Sequence, residues 1–447
     1  MRLLTILFCV TLLAGCASGK KTAEKERSGR RKPEPAEQRL GAEPSQTSRR
    51  PAAEPARMPA PVAADWRITS VKARFLNKDS SFVRIFLSTT LQKGYEFGTV
   101  EDLSSRFMLN YVVYPDYNSR ERLAYANVPL TAESIMRDGN NLLVIFDVKK
   151  PASAINGILL AEFTETSGGR KVLHDLPIRF KAVKLSDRFA LYSPKTGLPR
   201  MRNYVTVDDT VLIRDVAGTS RTLQAFRYRH DFDPASSPMN TTPRPAPKSL
   251  DTDSTFTITT NQPIVLPQEG LYFFLEDTTD SYGIGLVVAD ERFPKLTRPE
   301  KLVKPVLYMS TNQEIGDLNR SQEIKKALDR YWLTLMSGNP DLARQAIRAY
   351  YNRVEEANRL FTTYKEGWKT DKGMIYIVLG APDRVQRSRD REVWVYNQRS
   401  NVAEINFTFN RKPNQFVEDH YELVRYVEYQ PIWYPAVEAW RTGAIRE

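Results

Sequence analysis

Apolar and polar positions alternate in short runs from Trp66 onward: Trp66 to Val71, Phe82 to Leu87, Phe107 to Val113 and Leu142 to Phe146. A period of two puts every second side chain on one face, so each run predicts a strand packed against a core. Leu159 to Phe163 and Val172 to Phe180 are joined through Ser167-Gly168-Gly169, a hairpin signal. Short strands with turns at this spacing predict an antiparallel β-sandwich over residues 65–184. A second set follows: Tyr204 to Ile213, Leu223 to Tyr228, Phe256 to Thr260, Leu271 to Leu275 and Ile284 to Val288. It predicts a smaller sandwich over 185–298, interrupted by a proline-rich exposed loop from Ser236 to Lys248.

After Leu302 the period becomes three and four. Ile324, Leu328, Tyr331, Trp332 and Leu335 form one apolar helix face behind a Ser321 cap. Asn339 and Pro340 supply a cap and first-turn proline for a second helix, which is expected to end at Gly367. The Ser337-Gly338 turn makes the two antiparallel. Met374 to Leu379, Glu392 to Tyr396 and Ala403 to Phe409 then predict three strands, with Gly380-Ala381-Pro382-Asp383 as a tight turn. The expected fold is therefore mainly β, two tandem sandwiches followed by an α+β domain over 299–447 that combines a helix hairpin with a three- to four-stranded antiparallel sheet.

At the other end, Arg2, the apolar run Leu3 to Leu13 and Leu13-Ala14-Gly15-Cys16 form a secretory signal over residues 1–15, too short for a mature membrane span. Leu13-Ala14-Gly15-Cys16 resembles the bacterial lipobox, which implies a diacylglycerol anchor on Cys16. Ala17 stands where inner-membrane lipoproteins often carry aspartate, so the outer membrane is expected, on its periplasmic face, with surface exposure as the alternative. Residues 16–64 form a basic tether; Ala17 to Ala64 holds seven prolines and no aromatic residue, a composition that predicts disorder.

Composition and charge refine this picture. A chain of 447 residues with 41% hydrophobic content supports two or three cores. The net charge of +12 raises nucleic-acid binding, but the tether holds +5 of it without stacking aromatics, and no nucleic-acid partner is expected. Cys9 leaves with the signal and Cys16 carries lipid, so thiol chemistry, thiolate metal sites and disulfides drop out. With three histidines, of which His174 and His230 stand isolated, neither a metal site nor a cofactor is expected. Asp208-Asp209 is read as a turn. No Gly-x-Ser-x-Gly elbow, P-loop or dinucleotide-binding glycine pattern occurs.

One stretch carries a specific motif. Gly367, Trp368, Thr370 and Asp371, followed by Leu379-Gly380-Ala381-Pro382-Asp383, resemble the GWxTD domain lipoproteins of Bacteroidota and related bacteria. The resemblance covers about Ser321 to Glu447 and implies an envelope lipoprotein. Physically, the motif is read as a helix-to-strand corner: Gly367 as a left-handed cap, Trp368 as a plug in the helix–sheet seam, and Thr370 and Asp371 as acceptors for backbone N–H groups. Glu366, Asp371 and Asp383 are the carboxylates an active site here would use. The aromatic tail offers Tyr429, Trp433, Tyr434 and Trp440 as a candidate interface, against the alternative that it covers its own sheet. The leading expectation is a non-enzymatic accessory or scaffold lipoprotein of a secretion or outer-membrane assembly machine with a membrane or periplasmic protein partner. Glycan or peptidoglycan binding is the alternative, and a hydrolase using the motif's carboxylates comes third.

Overall fold

The computed structural model describes residues 68–91, 99–138, 141–166, 169, 171–242, 249–399 and 402–445. The lipobox, the tether and the Ser167-Gly168 turn lie outside the described residues. Among the described residues no helix is long and apolar enough to cross a membrane.

The first region contains β1 (Ile68–Asn77), β2 (Phe82–Leu91), a short helix α1 (Val100–Arg106), β3 (Phe107–Tyr114), β4 (Ala124–Val128), β5 (Ile135–Asp138), β6 (Asn141–Lys149), β7 (Asn156–Glu165) and β8 (Lys171–Arg179). They form two antiparallel four-stranded sheets, ordered β1-β2-β6-β5 and β4-β3-β7-β8. Val83, Ile85, Leu87 and Val144 from one sheet meet Leu109, Val113, Leu159 and Ala161 from the other, giving the sandwich its core. The outer face of the first sheet is covered as well. Leu76, Phe86 and Leu143 pack on Ala190, Tyr192 and Leu198 of the next region, which explains why Val83 to Leu87 is broken by a single polar residue, Arg84.

The second region contains β9 (Ala190–Tyr192), β10 (Tyr204–Thr206), β11 (Thr210–Arg214), β12 (Thr222–Tyr228), β13 (Thr252–Thr259), β14 (Ile264–Val265), β15 (Gly270–Leu275) and β16 (Ile284–Ala289). A five-stranded sheet, β10-β16-β15-β12-β13, faces the three strands β14-β11-β9. Its β10–β16 pair is parallel, so this layer is not wholly antiparallel. β15 and β16 are buried on both faces. One face joins the inter-sheet core, while Leu271, Phe273, Leu275 and Val287 on the other pack on Phe416 and Val417 from the C-terminal region. Gly285 allows this approach: a Cβ there would stand 2.6 Å from the Phe416 carbonyl oxygen.

The C-terminal region contains α2 (Pro299–Leu302), α3 (Asn312–Arg320), α4 (Ile324–Leu335), α5 (Pro340–Phe361), α6 (Asp371–Leu379), β17 (Arg384–Ser388), β18 (Arg391–Arg399), β19 (Val402–Arg411), β20 (Tyr421–Leu423) and α7 (Gln430–Arg441). The mainly β fold with a C-terminal α+β part and a four-stranded antiparallel sheet, β17-β18-β19-β20, agrees with the sequence reading. Asn339 caps α5 by accepting from the N–H groups of Asp341 and Leu342, and Ser337 and Gly338 take positive φ in the turn before it.

Four expectations change here. Ser321 ends α3 instead of starting α4. α5 stops at Phe361, because Thr362 turns extended and bonds back to the Asn358 carbonyl at 2.6 Å. Residues 371–379 are a helix, not a strand. Their apolar run reflects burial on every side between α5, β20 and α7, and that packing overrides the strand preference of Ile375, Ile377 and Val378. Finally, the described part of the proline-rich loop, residues 236–242, is docked: Pro238 is buried and its carbonyl accepts from the Tyr426 N–H at 3.2 Å, just after the Ala235 N–H donates to the Lys369 carbonyl.

Candidate functional site

The motif turns the chain between α5 and α6, and its polar groups make directed contacts on both sides of that turn. Asn358, buried near the end of α5, accepts from the Trp368 N–H at 3.0 Å and donates to the Pro294 carbonyl at 2.9 Å. Thr362 accepts from the Gly367 N–H at 2.9 Å. Gly367 has no positive φ, so the expected left-handed cap is corrected. Its requirement is close approach instead: a Cβ would stand 2.0 Å from the Ala357 carbonyl oxygen. Trp368 is 2% exposed; its indole N–H donates to Glu366 at 3.1 Å and its carbonyl accepts from the Tyr308 hydroxyl at 2.8 Å.

Thr370 caps α6. Its hydroxyl accepts from the Gly373 N–H at 3.0 Å and donates to the Gly367 carbonyl at 2.7 Å. Gly373 is as tightly placed as Gly367, with a Cβ position 1.9 Å from the Gly367 oxygen. Asp371 does not cap its own turn. It reaches across to β20, accepting from the Leu423 N–H at 2.7 Å and pairing with Arg425 at 2.6 Å, while Arg425 also donates to the Ser236 carbonyl of the docked loop. The neighbouring Lys372 lies 3.0 Å from Glu392, which accepts from the Trp394 indole at 2.6 Å. Burial pushes the Glu392 carboxyl up, but Lys372 and Arg387 beside it outweigh that and hold it below the usual carboxylate range.

Gly380 ends α6 with φ 83° and its carbonyl accepts from the Tyr396 hydroxyl at 2.8 Å. Pro382 is half-buried in this turn, and exposed Asp383 accepts from the Asn397 N–H at 2.7 Å. The three carboxylates are therefore separately committed: Glu366 to Trp368 and Lys369, Asp371 to Leu423 and Arg425, Asp383 to Asn397. The structure does not gather them around one cleft.

Residues 270–442 match the GWxTD domain family. The chain carries a GWxTD domain. The match begins at β15, inside the second sandwich, and the physical reason is the shared core: β15 and β16 bury one face on Phe416 and Val417 of the GWxTD domain. None of the curated proteins matches the chain.

The aromatic tail is corrected as an interface. Tyr429, Trp433 and Trp440 are 4%, 5% and 0% exposed, because α7 lies over α6; the Trp440 indole donates to the Val378 carbonyl at 3.1 Å and Tyr429 stacks on Phe407 with centroids 4.4 Å apart. Of the four residues Tyr434 alone stays exposed, at 56%.

Sequence reasoning missed a cleft of about 370 Å³ between the five-stranded sheet and the GWxTD corner, walled by Phe232, Glu269, Lys301, Tyr364, Lys365 and Glu366. Lys369, the variable position of the motif, turns its ammonium into this cleft, 2.5 Å from Asp231 and 2.8 Å from Glu366. Burial raises the Asp231 carboxyl, yet the bonds from Lys304 and Lys369 hold it down at about 2. The available signal was local: charges and aromatics alternate through Arg227 to Asp233, and Lys365 and Lys369 stand four apart around the motif.

Proposed function

We propose that the chain is a non-enzymatic outer-membrane lipoprotein, anchored through Cys16, that serves as an accessory or scaffold subunit of a secretion or envelope-assembly machine by protein–protein contact. One observation carries this reading: the polar atoms of the motif are spent on its own backbone and on neighbouring strands, so the corner acts as a joint between α5, α6, β20 and the loop of the second sandwich. A joint of this kind favours a rigid platform, whereas general acid–base chemistry needs carboxylates free to exchange protons at one site. The tether of residues 16–64 gives such a platform reach from the membrane.

Crosslinking of the lipidated chain in its own membrane, followed by affinity purification, tests the reading. A reproducible membrane-protein partner is expected, lost on Cys16→Ala. Recovery of cell-wall polymer without any protein, or a folded Asp371→Asn chain that has lost hydrolysis of a glycan, would overturn it.

A further inference from the structure

The cleft at the GWxTD corner has unequal charge. Arg227, Arg229, Lys301, Lys304, Lys365 and Lys369 line it against Asp231, Glu269 and Glu366. Most of these cations are matched: Arg227 pairs with Asp253, Lys301 lies 2.8 Å from both Glu269 and Asp290, Lys304 lies 2.8 Å from Asp231, and Lys369 is held by Asp231 and Glu366. Two are less so. Arg229 shares Asp253 with Arg227 and leaves 67% of its side chain exposed. The Lys365 ammonium donates to the Asp233 carbonyl at 3.0 Å and lies 5.9 Å from the Tyr364 ring centre; among the described residues no carboxylate stands within 4.0 Å of it. Burial lowers its pKa to about 8, with Asp371 opposing, so a cation is kept where the fold penalises it.

The chain itself displays what these lysines recognise. Its Asp231–Asp233 segment offers one side-chain carboxylate to Lys304 and Lys369 and one backbone carbonyl to Lys365. A peptide supplies both acceptor types. Between the cations lie Phe232 and Tyr364, ring centres 4.8 Å apart, an apolar surface that a bare inorganic anion cannot use.

We propose that this cleft docks an acidic peptide segment of a partner protein, with carboxylates set against Arg229 and Lys365 and an apolar side chain against Phe232 and Tyr364. The proposal rests on the scaffold reading above and gives its partner a chemistry.

The test uses the full chain and a fluorescein-labelled peptide of alternating glutamate and leucine, with its lysine–leucine counterpart as control. Saturable binding that weakens with salt is expected for the acidic peptide alone, falling about tenfold in Arg229→Glu and again in Lys365→Met. Both variants should stay folded, as near-ultraviolet circular dichroism checks, since the Arg229 side chain of the Arg229–Asp253 pair is largely exposed and Lys365 gives up a single hydrogen bond, to the Asp233 carbonyl. No binding, equal binding to parent and Arg229→Glu, or displacement by inorganic phosphate or a polyuronate at matched charge overturns the cleft as a peptide site. Peptide binding with no protein recovered by membrane crosslinking would instead sink the machine reading and leave the cleft standing.

Discussion

The first sandwich and the GWxTD corner are both well buried, but they are held by different forces. Of eleven buried polar residues among those described, Asn358, Thr362, Lys369, Thr370, Asp371 and Glu392 fall at the corner, and the first sandwich has one, Thr89. The sandwich core is made of side chains such as Ile85, Leu109, Val113 and Leu159, whose attraction is non-directional and tolerates changes of shape. The corner instead depends on hydrogen bonds of fixed geometry made by polar atoms already removed from water, so losing one partner leaves the other uncompensated. The same degree of burial should therefore give very different sensitivity to small substitutions.

A one-methyl change in each region makes the sharpest comparison and the largest expected effect. Gly367→Ala adds a methyl 2.0 Å from a helix carbonyl that cannot retreat without breaking α5, and should cost more than about 4 kcal/mol or abolish folding. Ile85→Val removes a methyl from the sandwich and should cost about 1 kcal/mol. Urea unfolding followed by circular dichroism reads both. Equal losses would break the distinction.

Charge gives the next contrast. Asp371→Asn keeps an acceptor for the Leu423 N–H but leaves Arg425 beside a neutral group in a largely buried setting, and should cost about 3 kcal/mol. Asp147→Asn, in a sandwich pair with Lys78 and Arg84 whose side chains are 25–33% exposed, should cost under about 1 kcal/mol. If the two variants melt together, the corner is no more dependent on its ion pair than the sandwich surface is on its own.

This difference also explains what the sequence made legible. The strands near Ile85, Leu109 and Leu159 and the Asn339-Pro340 start of α5 follow local rules, because a period or a cap is written within a few neighbouring residues. At the corner each misreading involves a distant partner. Asp371 bonds a strand that begins fifty residues later, at Tyr421, Gly367 is required by Ala357, and Met374 to Leu379 is helical because α7 covers it. Trp433 and Trp440 have interface composition, but a composition does not reveal whether a helix turns inward. The cleft was hidden for the same reason: Asp231 and Lys369 meet only after the second sandwich has docked.

The seam between the two regions offers the smallest effect and the finest distinction. His174 lies on β8 beside Asp175, which accepts from the Tyr117 hydroxyl at 2.6 Å and faces Arg387 of β17 at 3.3 Å. Burial pushes the imidazole down to about 4, with Asp175 raising it and Arg387 lowering it. Because the unfolded value is near 6.5, the unfolded chain takes up a proton between pH 6.5 and 4 that the folded chain refuses. Stability from this group is complete above pH 6.5 and is lost as pH falls, by about 1–2 kcal/mol between pH 7 and pH 5. His174→Gln should remove that slope in urea unfolding measured at the two values. The same slope in the variant would mean that the acid sensitivity lies elsewhere; its loss would place one pH-dependent group on β8, next to the Asp175–Arg387 contact with the GWxTD domain.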